Sequence, residues 1–363
     1  MREFKGLIPN TQRLVNEAPM RWRFGYQKDG VKTIDRMLGL GCFMLGFDRM
    51  DFVDNVVERF KSEIYESGEN LSGDIREDIY LNKSSFELAD KLYHITGGYR
   101  SFFSLSGSDA NEGAVKLASA FHYYNDLPRK KIVSIANSYH GSTLLNLSIG
   151  TSFYVPYQLD SYQHVEVVND DLDTEIPWEE VSCVIVETRS WVWSLAPYRD
   201  EFWARLSEIR KQYGILIIVD DIFMCGGKHG SFIGCHEIIP DIVTIGKSIT
   251  GGYFPLAGTL YSPRVAKVLP SDMWWEHGFT YSFSSTGIIS TIEFIDTVNN
   301  ENLFLRFEDL QKETASVIRS AGRQIINSYG LATAIDDETD PILLTPLTAD
   351  EEYFKILYED LKW

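Results

Sequence analysis

A chain of 363 residues, 44% hydrophobic and 24% charged, is long enough for one large α/β domain, a smaller second one and a substantial core. Its formal net charge of −18 argues against a nucleic-acid partner, which would require a basic footprint. No apolar run approaches the ~20 residues of a membrane span, no signal-like apolar stretch follows Met1, and Cys42, Cys183, Cys225 and Cys235 lack metal-ligand spacing, so a cytoplasmic enzyme without disulfides or a metal is expected.

Residues 1–30 are broken by Pro9, Pro19 and Gly25, and a short strand is expected at 30–35. The Gly-, Met- and Leu-rich stretch 36–46 reads either as a pocket wall or as a packed irregular connection. Phe52, Val56, Phe60 and Ile64 make one helical stripe over 51–64. A polar loop is expected at 66–83, then a helix over 85–95 with Ser84 or Ser85 as its cap. Residues 100–106 predict a strand, and Gly107-Ser108-Asp109-Ala110-Asn111-Glu112 turns it into a helix. Asp109 is the expected cap, three positions before Glu112, and Ala114, Leu117, Ala118 and Phe121 form the apolar face. Such a turn presents free backbone N–H groups to an anion, although any strand-to-helix turn does the same.

The next strand, 131–136, leads to Asn137-Ser138-Tyr139-His140-Gly141. There the aromatic either stacks on a flat ring or forms a buried, hydrogen-bonded pair with the histidine. Residues 151–180 read as a surface excursion. Residues 181–186 form a strand ending in Glu187, and 200–213 an amphipathic helix with Phe202, Leu206, Ile209 and Tyr213 on one face.

Two apolar runs follow, 215–219, which is continuous, and 242–245, which is nearly so. Runs of this kind mark parallel strands covered on both faces, and ligands bind at the carboxyl ends of such strands. The first ends in Asp220-Asp221 and the second in Gly246-Lys247, so an acid and an amine arrive where a cofactor would sit. Each alone reads as a cap or a solvated lysine. Together they suit a lysine that bonds pyridoxal phosphate, with a carboxylate beside the ring nitrogen. A further strand is expected at 256–262, an aromatic-polar stretch at 272–286, helices over 287–327, weak strands at 331–335 and 342–344, and a closing helix at 349–361. Trp22, Phe24, Trp191, Trp193, Trp274 and Trp275 are candidates for a substrate pocket or for packing.

These motifs resemble those of class III aminotransferases, which are fold-type I enzymes of pyridoxal 5′-phosphate. The likeness covers residues 30–286 and, more faintly, the last twenty. It implies an α/β fold: a large cofactor domain (45–286) with a mostly parallel wound sheet flanked by helices, and a reduced small α+β domain from both termini (1–44 and 287–363). It also implies that Ser106, Gly107 and Ser108 cup the phosphate and that Tyr139 of the Tyr139-His140-Gly141 motif stacks on the ring. Glu187 would lie on the substrate side, Asp220 would pair with the ring nitrogen, and Ile222 would pack beneath it. Lys247 would form the Schiff base, and Thr280 would reach the phosphate of a neighbouring subunit in a homodimer. Asp220 and Ile222 share one strand face, whereas Asp221 faces away.

Several positions depart from the family pattern. Thr188 replaces a proline after the glutamate, Phe223 stands where a glutamine is usual, and Ser284-Ser285 replace Asn-Pro. Residues 330–341 stand in for several strands, and no late carboxylate-binding arginine is evident. The expected activity is amino-group transfer between small-molecule amines and keto or aldehyde acceptors. The alternatives are an aminomutase of the glutamate-1-semialdehyde type, slightly favoured by residues 7–12, and a non-catalytic homologue.

Overall fold

A computed structural model describes residues 20–28, 30–66, 83–150, 164–172, 175–190, 194–234, 237–273, 275–338 and 341–362. The elements run β1 (Met20–Trp22), β2 (Gly25–Lys28), β3 (Val31–Ile34), a short turn α1 (Leu38–Gly41), α2 (Met50–Glu66), α3 (Lys83–Ile95), β4 (Arg100–Ser104) and α4 (Gly107–Tyr123). Next come β5 (Lys131–Ile135), α5 (Leu144–Ile149), β6 (Val165–Val168), β7 (Val181–Glu187), α6 (Asp200–Tyr213), β8 (Leu216–Asp220), β9 (Ile242–Ile245), β10 (Ala257–Tyr261) and α7 (Pro263–Ala266). The chain continues through α8 (Ser285–Asn300), α9 (Phe307–Ser320), β11 (Ile325–Tyr329), β12 (Ala332–Ile335), β13 (Ile342–Leu344) and α10 (Glu351–Leu361).

A seven-stranded sheet in the order β4-β10-β9-β8-β7-β5-β6 organises the molecule, and β10 alone runs antiparallel to its neighbours. Every residue of β7, β8 and β9 is buried, because helices cover both faces. The period-two alternation divides each strand between two cores. Val184, Val186, Ile217 and Val219 pack with Phe202, Leu206 and Ile209 of α6. Cys183, Ile185, Leu216 and Ile218 pack with Ala114, Leu117 and Phe121 of α4. This is the wound α/β architecture predicted from the apolar runs. Two three-stranded antiparallel sheets, β1-β2-β3 and β11-β12-β13, are built from the ends of the chain. They share a third core with α2, α3 and α8.

Several local expectations are corrected. The α4 N-cap is Ser106, not Asp109: Ser106 is extended and its side chain accepts from the Asp109 amide. Gly107 is a poor helix former, so sequence pattern alone placed the helix start too late. Ser84 and Ser85 lie inside α3, and Ser84 bonds Glu63 and Arg59 of α2 instead of capping. Within 151–180 lies β6, a four-residue strand that pairs with β5 and, among the described residues, lies at the edge of the sheet. The helical stretch ends at Ser320, and β11 follows with alternating exposure. The β1-β2 hairpin had no predicted counterpart. Trp22 and Phe24 are core residues and Trp275 packs beside α4. Trp191, Trp193, Trp274, Cys235, residues 7–12 and most of the 66–83 loop lie outside the described residues.

Candidate active site

The carboxyl ends of β7, β8 and β9 and the amino end of α4 open on one cleft. Gly107, Ser108, Tyr139, His140, Gly141, Glu187, Asp220, Ile222, Phe223 and Lys247 line it. Nine of the eleven site residues expected from sequence therefore converge. Ser106 stands one residue back as the α4 cap. Thr280 is exposed and does not line this cleft.

The α4 end is shaped for close approach. A Cβ on Gly107 would stand 2.7 Å from Ile222 Cδ1, and one on Gly141 (φ 115°) would stand 2.2 Å from Ser108 Oγ. Only glycine leaves that space open and accepts that backbone angle. The first amides of a seventeen-residue helix, with its dipole behind them, meet the cleft there.

Asp220 is buried and held from two sides. His140 Nδ1 and Asn111 Nδ2 each donate to its Oδ2 at 2.8 Å, and the Ile222 amide donates to Oδ1 at 3.1 Å. Asn111 also donates to the His140 carbonyl (2.8 Å) and accepts from Thr244 Oγ1 (2.7 Å), which locks its amide orientation. Sequence reading missed Asn111. The available signal was its place one helical turn after Gly107, on the same face of α4. Asp221 points away from the cleft, where Thr188 Oγ1 and the Gly234 amide donate to it. Burial raises its carboxyl to about 7.

Glu187 is paired in register with Asp220 and accepts from the Tyr139 amide at 3.1 Å. Burial, and then the neighbouring Asp220 charge, push its carboxyl well above the usual range. Lys247 is half-buried in a left-handed conformation (φ 50°), and its Nζ stands 5.3 Å from the centroid of the Phe223 ring. Among the described residues no cluster of histidine, cysteine and acidic side chains has the makings of a metal site. Nor is any described helix long and apolar enough to cross a membrane.

The class III aminotransferase family matches residues 23–336, and the chain belongs to that family. Relatives include gamma aminobutyrate transaminase 3 of Solanum lycopersicum, 26% identical over 77% of this chain and 59% of the relative. An uncharacterized aminotransferase, y4uB, of Sinorhizobium fredii is 27% identical over 76% of this chain and 64% of its own length. The chain thus spans about three-fifths of these curated relatives, 59% and 64% of their lengths. The fold matches that of a Bacillus anthracis aminotransferase at TM-score 0.82 and 19% identity, covering 99% of this chain and 95% of that one.

The family depends on pyridoxal phosphate, and the cleft fits that molecule. Its phosphate matches the uncrowded amino end of α4, and its basic ring nitrogen matches an acid held in place by two donors. Its flat ring matches the space bounded by Ile222 and Tyr139, and its aldehyde matches a primary amine in the same cleft.

Proposed function

We propose that this chain is an aminotransferase, moving an amino group from an amine or amino-acid donor to a keto or aldehyde acceptor at this cleft. One observation carries the reading: the Lys247 amine and the doubly held Asp220 carboxylate share a cleft with the amino end of α4. When bound, pyridoxal phosphate supplies an aldehyde that captures amines and a protonated ring that draws electrons from the amine-bearing carbon.

In this reading Gly107 and Ser108 receive the phosphate at the α4 end, with Ser106 holding that end in shape. Tyr139 and Ile222 bound the two faces of the ring, and Gly141 leaves the Ser108 hydroxyl room. Asp220 keeps a negative charge beside the ring nitrogen, and His140 and Asn111 prevent it from turning away. Lys247 would hold the cofactor through its aldehyde, and its amine, once free, would move the proton at the donor carbon. Glu187, its carboxyl favoured in the protonated form, borders the substrate side without adding a second charge.

We further propose the division into 45–286 and the two terminal segments. Thr280, exposed and outside its own cleft, would complete the phosphate site of a second copy in a homodimer. The free thiols of Cys42, Cys183 and Cys225 suit a reducing compartment such as the cytoplasm.

The test is an absorption spectrum of the protein with pyridoxal phosphate, beside Lys247→Ala, each then mixed with a panel of amines. A band at about 400–430 nm, whose colour belongs to the cofactor, should require Lys247 and should disappear with a competent donor. Identical spectra for the two proteins would remove Lys247 from the mechanism.

A further inference from the structure

A second lysine lies behind the cleft. Lys228 has no solvent exposure and is among the largest fully buried side chains. Its Nζ donates to the Cys225 carbonyl at 3.1 Å and to Ser248 Oγ at 2.8 Å, and it stands 6.0 Å from the Phe223 ring centroid. Phe223 therefore neighbours two amines, Lys247 in the cleft and Lys228 behind it. Among the described residues no carboxylate bonds Lys228, and Asp221 acts on it only through space, so its ammonium is poorly compensated. Buried charges of this kind are disfavoured unless something depends on them.

The partners of Lys228 indicate what depends on it. Lys247 has positive φ, a conformation that is unfavourable for a residue with a Cβ. Both residues flanking Lys247 are tied to the turn after β8. On one side the Gly246 amide meets Cys225 Sγ at 3.4 Å, and that thiol donates to the Gly246 carbonyl at 3.3 Å. On the other side Ser248 Oγ donates to the Cys225 carbonyl at 2.9 Å and accepts from Lys228. Ser248 then receives the Gly251 amide on its own carbonyl (2.9 Å), which closes the turn. The Lys228 carbonyl in turn accepts from the Leu331 amide (2.7 Å), so this anchor is fixed to the β11–β12 connection.

We propose that Lys228 is a positioning residue for Lys247: with Cys225 and Ser248 it clamps the turn after β9 onto the turn after β8 and holds Lys247 in its left-handed conformation. The inference rests on the reading of Lys247 given above. Burial lowers the Lys228 amine to about 8 from 10.5. The groups acting on it are Cys225 and Asp221 after β8, Cys42 after α1, and Lys247 after β9. Because the folded-state value is depressed, the unfolded chain binds the extra proton, and Lys228 disfavours folding most below pH about 8. That penalty fades as pH rises towards 10.5.

The experiment compares wild type with Lys228→Met, Ser248→Ala and the double variant. Without cofactor, amide exchange at Ile249 and Gly251 should quicken about tenfold in each single variant, the loss of roughly one buried hydrogen bond. Exchange in the β7 and β8 strands should not change. With pyridoxal phosphate, the Lys247-dependent band should form about tenfold more slowly in each single variant, and the double variant should lose less than the sum of the two, as expected where one of the bonds is shared. Wild type should also gain thermal stability relative to Lys228→Met between pH 8 and 10.5. Unchanged exchange at Ile249 and Gly251, exchange that quickens equally throughout, or additive losses would each overturn the proposal. A wild type with no Lys247-dependent band would defeat the cofactor reading instead, and the cofactor-free exchange would still decide the clamp.

Discussion

Glu187 and Asp220 are direct neighbours in register at the carboxyl ends of adjacent parallel strands, so two buried carboxyl groups share one side of the cleft. Two charges so close in a poorly solvated place are unfavourable. Asp220 accepts from three donors, while burial and then Asp220 press Glu187 towards its protonated form.

A pH dependence follows, with a definite sign. Because the folded-state value of Glu187 is raised, its contribution to stability is full below the ordinary value of 4.5 and is lost as pH climbs from there. Glu187→Gln mimics the protonated form. Its melting temperature relative to wild type should therefore rise steadily from pH 4.5 towards neutrality, as measured by thermal unfolding across that range. A flat difference would mean that Glu187 is ionised in the folded protein.

Asp220→Asn should keep the fold but place an amide N–H against the Ile222 amide, which now donates to Oδ1. Turnover should fall by about a hundredfold or more, roughly 2.7 kcal/mol of barrier, through loss of the charge beside the ring nitrogen. His140→Ala and Asn111→Ala each remove one donor to Oδ2 and should cost about tenfold. Steady-state kinetics on the three variants checks the order.

Gly107→Ala tests the uncrowded α4 end. The new Cβ would press on Ile222 Cδ1 at 2.7 Å, so pyridoxal phosphate should bind about tenfold more weakly. Adding Ile222→Val deletes that Cδ1 and should restore much of the affinity. Fluorescence titration of the cofactor-free protein reads both outcomes.

Thr280 gives a test of subunit exchange. Thr280→Ala should weaken cofactor binding, and Lys247→Ala should abolish turnover. If Thr280 serves the partner's cleft, mixing the two variants under conditions of subunit exchange should regenerate one intact site in each mixed dimer. No recovery on mixing would place Thr280 outside the shared site.

Much of the site was legible before any coordinates. β7, β8 and β9 are buried, nearly continuous apolar runs, interrupted by Ser182 and Thr244, because helices cover both faces, so the charged residue that closes or follows each run marks a strand end at the cleft. Glu187, Asp220 and Lys247 were found by that rule. Gly107 could be named because small residues let a phosphate approach the main chain, whereas Gly141 was named through its resemblance to the family motif. The sequence by itself thus determined the wound sheet, the acid and the amine, since local periodicity and polarity encode burial directly. Only tertiary structure decided what holds those groups. Asn111 on α4 and His140 after β5 meet on Asp220 because the sheet order brings three distant segments to one point. Lys228 became informative only when the turns after β8 and β9 proved to be packed together. Contacts of that kind join residues far apart in the chain, and nothing in the spacing of either segment records the other.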